Sequence, residues 1–272
     1  MVKIAVTGGK GGSGKTTIAV SLAKLLNKRL IDADVVGPNV HVLLKAERRK
    51  VEDVRIFIPR INVDRCSKCG ACASACPENA LLWRPLHYPV LLRELCTGCK
   101  TCYYLCRKID NAIEEGEMSV GKIFEGEGYG IRFLQGENEP WMKKASAVSL
   151  RLMKFLKGDE VIDTPPGTSI ITFIPLLYAD LVIEVVEPTP HGIRDFWESV
   201  NMVKKLGKEI IVVINKYGIG LTGELEKELK SKGYKYVKVP YDQEILKAYS
   251  EMRPIWEVSV LREAIEKLRE YL

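Results

Sequence analysis

The chain lacks several things that would have assigned it quickly. It has no apolar run approaching 18 residues among its 272, so no membrane-spanning helix is expected. The opening residues, MVKIAVTGG, carry no basic segment followed by an apolar stretch, so no secretory signal is expected and a cytoplasmic, thiol-reducing setting follows. No G-x-S-x-G string occurs, which removes the nucleophile elbow of the α/β-hydrolases. There are only three histidines, His41, His87 and His191, and none has partners at metal or triad spacing; structural or surface roles are expected for all three. Charge of one sign is scarce too. A formal net charge of +6 on a mixed surface is a weak footprint for nucleic acid or an anionic membrane. Cysteine is absent from the first 65 residues and from everything after residue 106, yet the chain holds eight.

What remains is ordinary for a soluble globular chain: 46% apolar and 28% charged residues, enough for one large domain or for a domain with a small module. Apolar runs of strand length (Val2 to Val6, KRLID, EVID, ADLVIEVVEPT, KEIIVVINKYG) alternate with helical patterns, such as Ile18, Leu22, Leu25 and Leu26 on one face. That alternation predicts an α/β fold, a mostly parallel sheet with helices on both faces. The closing VSVLREAIEKLREYL predicts an amphipathic helix with Val258, Leu261, Ile265, Leu268 and Leu272 on its apolar face. Its polar face mixes Arg262, Glu263, Glu266, Lys267, Arg269 and Glu270, so it is expected to pack on the sheet and not on a membrane. Residues 60–112 interrupt the alternation and hold every cysteine. The organisation read from this is a domain in two parts, 1–59 and 113–272, with 60–112 inserted.

Between the first strand and the first helix, GKGGSGKT at Gly9 to Thr16 fits G-x-x-x-x-G-K-[ST]. In that context the glycines Gly9, Gly11, Gly12 and Gly14, with Ser13, turn backbone N–H groups toward phosphate oxygens at the positive end of the helix. Lys15 then neutralises β and γ phosphates, Thr16 offers a hydroxyl to Mg²⁺, and Thr17 completes the loop. Asn215, in VVINKYG after a predicted strand, is a candidate to bond adenine; the fourth position of the guanine-reading N-K-x-D pattern is Gly218, which favours ATP over GTP. His191, in EPTPHGIRDF, also follows a strand and is the histidine best placed to face the nucleotide.

Lys10 is not required by that motif. The string KGGSGKTT resembles the deviant phosphate loop of the MinD/ParA family of ATPases, to which the nitrogenase iron protein and the Mrp-type cluster carriers also belong. The resemblance implies an ATP-dependent homodimer in which Lys10 reaches the partner's nucleotide, acting like an arginine finger in trans. DADVVGPN resembles the family's first switch, which implies that Asp34 orients the attacking water with Asp32 nearer the metal, or the reverse. EVIDTPPGTS resembles the second switch, which implies that Asp163 holds Mg²⁺ through water and that Gly167 offers its N–H to the γ-phosphate.

The cysteines form an internal repeat. Cys66, Cys69, Cys72 and Cys76, then Cys96, Cys99, Cys102 and Cys106, both read C-x2-C-x2-C-x3-C. Three thiolates at this spacing wrap one corner of a [4Fe–4S] cubane and the fourth is directed to the other cluster. One cluster then takes Cys66, Cys69, Cys72 and Cys106, and the other Cys96, Cys99, Cys102 and Cys76. A zinc site needs four ligands in two separated pairs and does not account for the triple spacing. The segment resembles a bacterial-type two-cluster ferredoxin, with Arg107 standing where the second repeat would carry proline, as Pro77 does in the first. From Arg60 to Ala112 there are eight basic and four acidic side chains. Eight thiolates around two cores of about +2 each add about −4, which that excess roughly offsets and which leaves the whole chain only slightly positive.

Together these readings predict an ATPase that couples nucleotide-driven dimer closure to electron transfer through two clusters, delivering to an unidentified redox or client protein. The alternatives are an Mrp-like cluster or metallocofactor carrier, whose C-terminal C-x-x-C has no counterpart beyond Cys106, and a MinD/ParA-like spatial regulator with redox sensing.

Overall fold

In the computed structural model, which describes residues 1–140 and 144–272, the alternation of apolar strand and helix is realised almost from the first residue. Strand β1 (Ile4–Thr7), buried at every position, runs into the glycine-rich loop and helix α1 (Lys15–Leu26). Strand β2 (Arg29–Asp32) and the short α2 (Val40–Leu43) follow, then the long β3 (Arg48–Ile61). The cysteine segment contributes α3 (Ala71–Ser74), β4 (Leu81–Leu82), β5 (Val90–Leu91) and α4 (Thr101–Arg107). The chain returns through β6 (Ile113–Gly128) and β7 (Ile131–Asn138). After α5 (Ala145–Met153) it continues as β8 (Glu160–Asp163), α6 (Ile170–Tyr178), β9 (Leu181–Val186) and α7 (Pro190–Lys205). It closes with β10 (Glu209–Tyr217), α8 (Thr222–Ser231), β11 (Lys235–Pro240), α9 (Gln243–Ser250) and α10 (Ser259–Arg269).

One sheet of nine strands results, in the order β11-β10-β9-β1-β8-β2-β7-β6-β3. From β11 to β7 every pair is parallel, and the last two pairs are antiparallel. Neighbouring residues on β1 alternate between two apolar clusters, one per face of the sheet: Ile4 and Val6 pack with α1 and α10, Ala5 with α5 to α8. The mostly parallel α/β sheet expected from the sequence is therefore present. The terminal helix buries Leu261, Ala264, Ile265 and Leu268 in the first of these clusters, so its apolar stripe is spent inside the protein, while Leu272 lies exposed beyond its end. No helix among the described residues is long and apolar enough to cross a membrane.

The edge of the sheet carries the cysteines. β3 and β6 pair from Arg48↔Gly126 to Ile61↔Ile113, whereas β7 covers β6 only from Gly121 to Gly128. The outer half of the β3–β6 ribbon thus leaves the sheet and bears the cysteine module at its far end. Arg60 and Ile61 still pair with Glu114 and Ile113, so β3 runs through the 59/60 boundary and β6 begins at the 112/113 boundary. A bidentate ion pair from Arg151 of α5 to Glu52 of β3, at 2.6 and 2.7 Å, fastens the ribbon's base to the body.

Candidate nucleotide site and cysteine module

Parallel strands align the carboxyl ends of β1, β2 and β8: Val6 and Asp32 both pair with Asp163. This is the crevice where open parallel sheets hold ligands. The loop after β1 turns tightly over it. Gly14 has φ +96°, and a Cβ there would lie 2.2 Å from the Asn215 amide nitrogen; a Cβ on Gly9 would lie 2.1 Å from the Asp195 carbonyl oxygen. Only glycine fits either position.

Gly11, Gly12, Gly14, Lys15, Thr16 and Thr17 line a cleft of about 340 Å³ together with Asp34 and Asn215. Lys15 is nearly buried and donates to the Lys10 carbonyl at 3.0 Å, holding the loop in a ring. Burial lowers the pKa of its ammonium, against the pull of Asp163, Asp34 and Glu184. Ser13 lies buried in the loop and donates none of its chemistry to the cleft wall; its carbonyl accepts the Asn215 amide at 2.7 Å. Asn215, read from the sequence as an adenine partner, thus braces the phosphate loop while lining the cleft.

The two switch aspartates separate. Asp34 faces the cleft. Asp32 is fully buried, and its carboxylate accepts the backbone N–H groups of Asp34, Asn39 and Val40 at 3.1–3.2 Å, so it ties the first switch loop to the end of β2. Burial and the neighbouring Asp163 raise its pKa well above the carboxylate range. Asp163 is buried too; burial raises it to about 7 against a hydrogen bond from Thr16 and the charge of Lys15. Its Oδ1 has no hydrogen-bond partner. A buried, unpartnered carboxylate oxygen beside a threonine hydroxyl and below Asp34 is a hard-oxygen set that fits Mg²⁺. Gly167 stands at φ +85° with its N–H on the Gly8 carbonyl at 3.3 Å.

Lys10 is half-exposed, its Nζ 3.7 Å from Glu187, which also takes Lys216 at 3.1 Å. His191 is exposed in the first turn of α7, away from the cleft. His41 meets Gln135 at 3.0 Å and His87 meets Arg84 at 2.9 Å, both structural contacts. Sequence reasoning passed over the far wall, built by Tyr241, Ile245, Leu246 and Tyr249 where β11 enters α9. The signal was present: a short strand ending in Pro-Tyr-Asp at the carboxyl edge of a parallel sheet.

In the module the eight cysteines sort into two cavities. Cys66, Cys69, Cys72 and Cys106 line one; Cys76, Cys96, Cys99 and Cys102 line the other. Each draws three thiols from one repeat and one from the other. Matching left-handed residues, Lys68 and Gly70, then Gly98 and Lys100, turn the chain around each cavity. Backbone N–H groups of Ala80 and Ala112 reach the sulfurs of Cys76 and Cys106 at 3.3 Å. Burial raises the thiol of Cys72 to about 11 and that of Cys102 to about 12. No group of three or more His, Cys, Asp or Glu among the described residues converges as ligands of a single ion do. Thiolates on different irons of a cubane stand further apart, so the donor set and spacing fit a [4Fe–4S] cluster in each cavity. Arg107, in the place of proline, is the last residue of α4, its guanidinium 5.7 Å from the Tyr103 ring; the second repeat's helix simply runs on past Cys106, where the first ends at Ser74.

A strand–loop–helix turn carrying GKGGSGKT, two aspartate-bearing loops at adjacent strand ends and a mostly parallel sheet define a P-loop ATPase. Residues 4–255 match the model of the CobQ/CobB/MinD/ParA nucleotide binding domain, and the chain belongs to that family. It is 31% identical over its full length to 98% of an uncharacterized protein of Methanocaldococcus jannaschii. It is 25% identical to an iron-sulfur cluster carrier protein of Pyrococcus abyssi, over 88% of this chain and 74% of the relative. Among solved structures it resembles the septum site-determining protein MinD of Pyrococcus horikoshii bound to Mg-ADP, with a TM-score of 0.58, 20% identity, and 99% and 95% of the two chains covered.

Proposed function

We propose that this ATPase couples ATP turnover to electron transfer through two [4Fe–4S] clusters held in the cysteine module. The observation that carries the reading is the sorting of all eight cysteines, three and one from each repeat, into two separate cavities at the end of a ribbon continuous with the ATPase sheet. A cluster held by thiols of which Cys72, Cys96 and Cys102 are buried is a fixture of the fold rather than a cargo at its surface.

In this reading residues 1–59 and 113–272 form the ATPase and 60–112 the ferredoxin-like insert. Lys15 and the loop N–H groups hold the β and γ phosphates, and Asp34 orients the attacking water across the cleft. Asp163 and Thr16 hold Mg²⁺, which when bound neutralises charge on the bridging phosphate oxygens. The Gly167 N–H turns from the Gly8 carbonyl to the γ-phosphate. ATP draws two copies together, and Lys10 leaves Glu187 for the nucleotide of the other copy. Hydrolysis relaxes the switches and with them the dimer.

A second reading, a cluster carrier, is favoured by the similarity to the Pyrococcus abyssi carrier over most of the chain. One experiment separates them. Protein purified without oxygen should be brown with about eight irons per chain. Reduced and mixed, with and without ATP, with an oxidised redox protein and separately with a cluster-free acceptor, it should lose electrons to the first while keeping its iron in both. Iron moving to the acceptor would install the carrier reading, and colourless, zinc-loaded protein would end both.

A further inference from the structure

The two cavities occupy unequal positions on the ribbon. The one holding Cys76, Cys96, Cys99 and Cys102 is lined by Phe57 and Pro59, and its thiols pack against Ile58 and Met118. Lys144, at the start of α5 in the ATPase body, lies within electrostatic reach of Cys96. The cavity holding Cys66, Cys69, Cys72 and Cys106 is lined by Ile61 and Ile113, the last pair of the ribbon. The order is therefore body, proximal cavity, distal cavity.

The strands of the β4–β5 hairpin line the proximal cavity through Leu81 and Leu91, and its tip reaches over the distal cavity. Its Pro89 lines the cavity, Trp83 donates its indole N–H to the Lys68 carbonyl at 3.0 Å, and Lys68 Nζ stands 4.6 Å over the Tyr88 ring. A Cβ on Gly70 would strike the Trp83 ring at 2.6 Å, so hairpin and cysteine loop are packed as one piece. Beside the exposed Cys69 this places Lys68, Arg84 and His87, with Leu86 82% exposed, Val90 61% and Leu82 54%. No acidic residue occurs between Glu78 and Glu94. Arg84 and Lys68 have no carboxylate partner among the described residues, and Asp110, which lines the distal cavity, is tied to Ser67. An exposed apolar centre with an unpaired cationic rim fits a protein surface that is acidic around its own apolar contact.

We propose that this hairpin tip is the docking surface for an acidic electron-carrier protein, and that the distal cluster is the port through which single electrons enter. The inference rests on the electron-transfer reading above. The reduced carrier loses one electron, the distal cluster gains it, and no proton or group moves. From there one cavity, the proximal one, lies between the electron and the ATPase body.

The probe is a reduced acidic two-cluster ferredoxin, mixed in stopped flow with the oxidised, iron-loaded protein, alongside a binding titration. Binding and electron transfer should both weaken steeply with ionic strength. Lys68→Glu with Arg84→Glu should slow association about tenfold or more at low salt, with iron content unchanged, while Lys205→Glu on the ATPase body should change it less than twofold. Should the double variant lose iron, the ionic-strength slope of the unaltered protein decides instead. Association indifferent to salt and to the tip charges overturns the docking surface while leaving the electron-transfer reading intact, because iron content and cluster reduction by dithionite are read in the same samples. Tighter, tip-dependent binding of single-stranded DNA than of the ferredoxin overturns it in favour of a nucleic-acid surface.

Discussion

The ATPase body and the cysteine module are held together by opposite means. The body buries two broad apolar layers, with side chains such as Phe133, Phe196, Leu152 and Ile18 excluded from water on either face of the sheet. The module has no such layer. Its two small cores are Phe57, Cys72, Leu81, Cys102 and Ile113, and Ile58, Ala80 and Cys96, so a large share of what it buries is thiol. Apolar burial stabilises the body by roughly 25 cal/mol per Å² without help. A unit of about fifty residues with cores this small needs a staple, and its thiols are arranged to take one. The body stores its stability in packing, and the module stores it in whatever the thiols bind.

The widest break in that comparison comes from Cys72→Ala. It should lose about four of about eight irons per chain, and limited proteolysis should then cut between residues 62 and 112. ATP binding should change less than about threefold, measured by titration. Loss of nucleotide affinity in step with iron would mean that the two regions share one cooperative unit. Next in size is the reverse experiment. Lys15→Ala should lower ATP turnover by about 10²–10³-fold, since it removes the cation facing the transferred phosphate, while iron content and visible absorption stay unchanged.

How legible each region was in the sequence follows from the same contrast. β1, β8, β9 and β10 announced themselves because strands covered on both faces read as unbroken apolar runs. The phosphate loop and the cysteine repeat were legible because their chemistry requires fixed residue types at fixed spacing. β3 and β6 were not. Arg48, Arg49, Lys50, Glu114, Glu115 and Glu117 stand in strands that are solvated along much of their length, and charge hides the alternation. Asp32 and Asp34 could not be told apart, because both lie in DADVVGPN and only the backbone decides which one is spent on N–H groups. The Tyr241–Tyr249 wall was missed because its one signal is positional, a strand ending at the carboxyl edge of the sheet, and no residue type or spacing marks it.

The body also buries ionisable groups against its own apolar rule, and one of them gives a smaller prediction. Glu184, in the middle of β9 and opposite Thr7, is fully buried; Ser199 bonds its Oε1 at 2.6 Å and its Oε2 has no partner. Burial raises its pKa to about 8 from an ordinary 4.5, against the Ser199 bond and Lys15. The unfolded chain ionises this group above about pH 4.5 while the native state keeps it protonated, so its contribution to stability falls as pH rises from about 4.5 to about 8 and is constant beyond. Glu184→Gln should abolish that decline. Its gain over the unaltered protein, absent at pH 4, should reach on the order of 3 kcal/mol at pH 8 in urea denaturation followed through a body signal. Equal midpoints at both pH values would show that the carboxyl is already ionised in the fold.

The smallest effect falls at the joint between the two regions, where Arg151 of α5 grips Glu52 of β3 with two hydrogen bonds. Arg151 holds the Glu52 carboxyl below its usual range, so this pair contributes above the ordinary carboxylate pKa and is lost as pH falls. Both side chains remain partly solvated, at 40% and 29% exposure, so Arg151→Ala should cost the protein no more than about 1 kcal/mol overall. Its value as a test is local. The inner half of the ribbon is held by β7 and by this pair, and the outer half by β3–β6 pairing, the Arg55–Glu117 ion pair and packing of the cysteine module on Phe57 and Ile58. Removing the grip should speed amide exchange in β3 near Glu52 several-fold while leaving β1 and β8 unchanged. If nucleotide state reaches the module through the sheet edge, ATP and ADP should also protect those β3 amides differently, and Arg151→Ala should shrink the difference. Exchange in β3 that ignores both the substitution and the nucleotide would leave the ribbon a passive stalk, and closure of two copies around the module would have to carry the coupling.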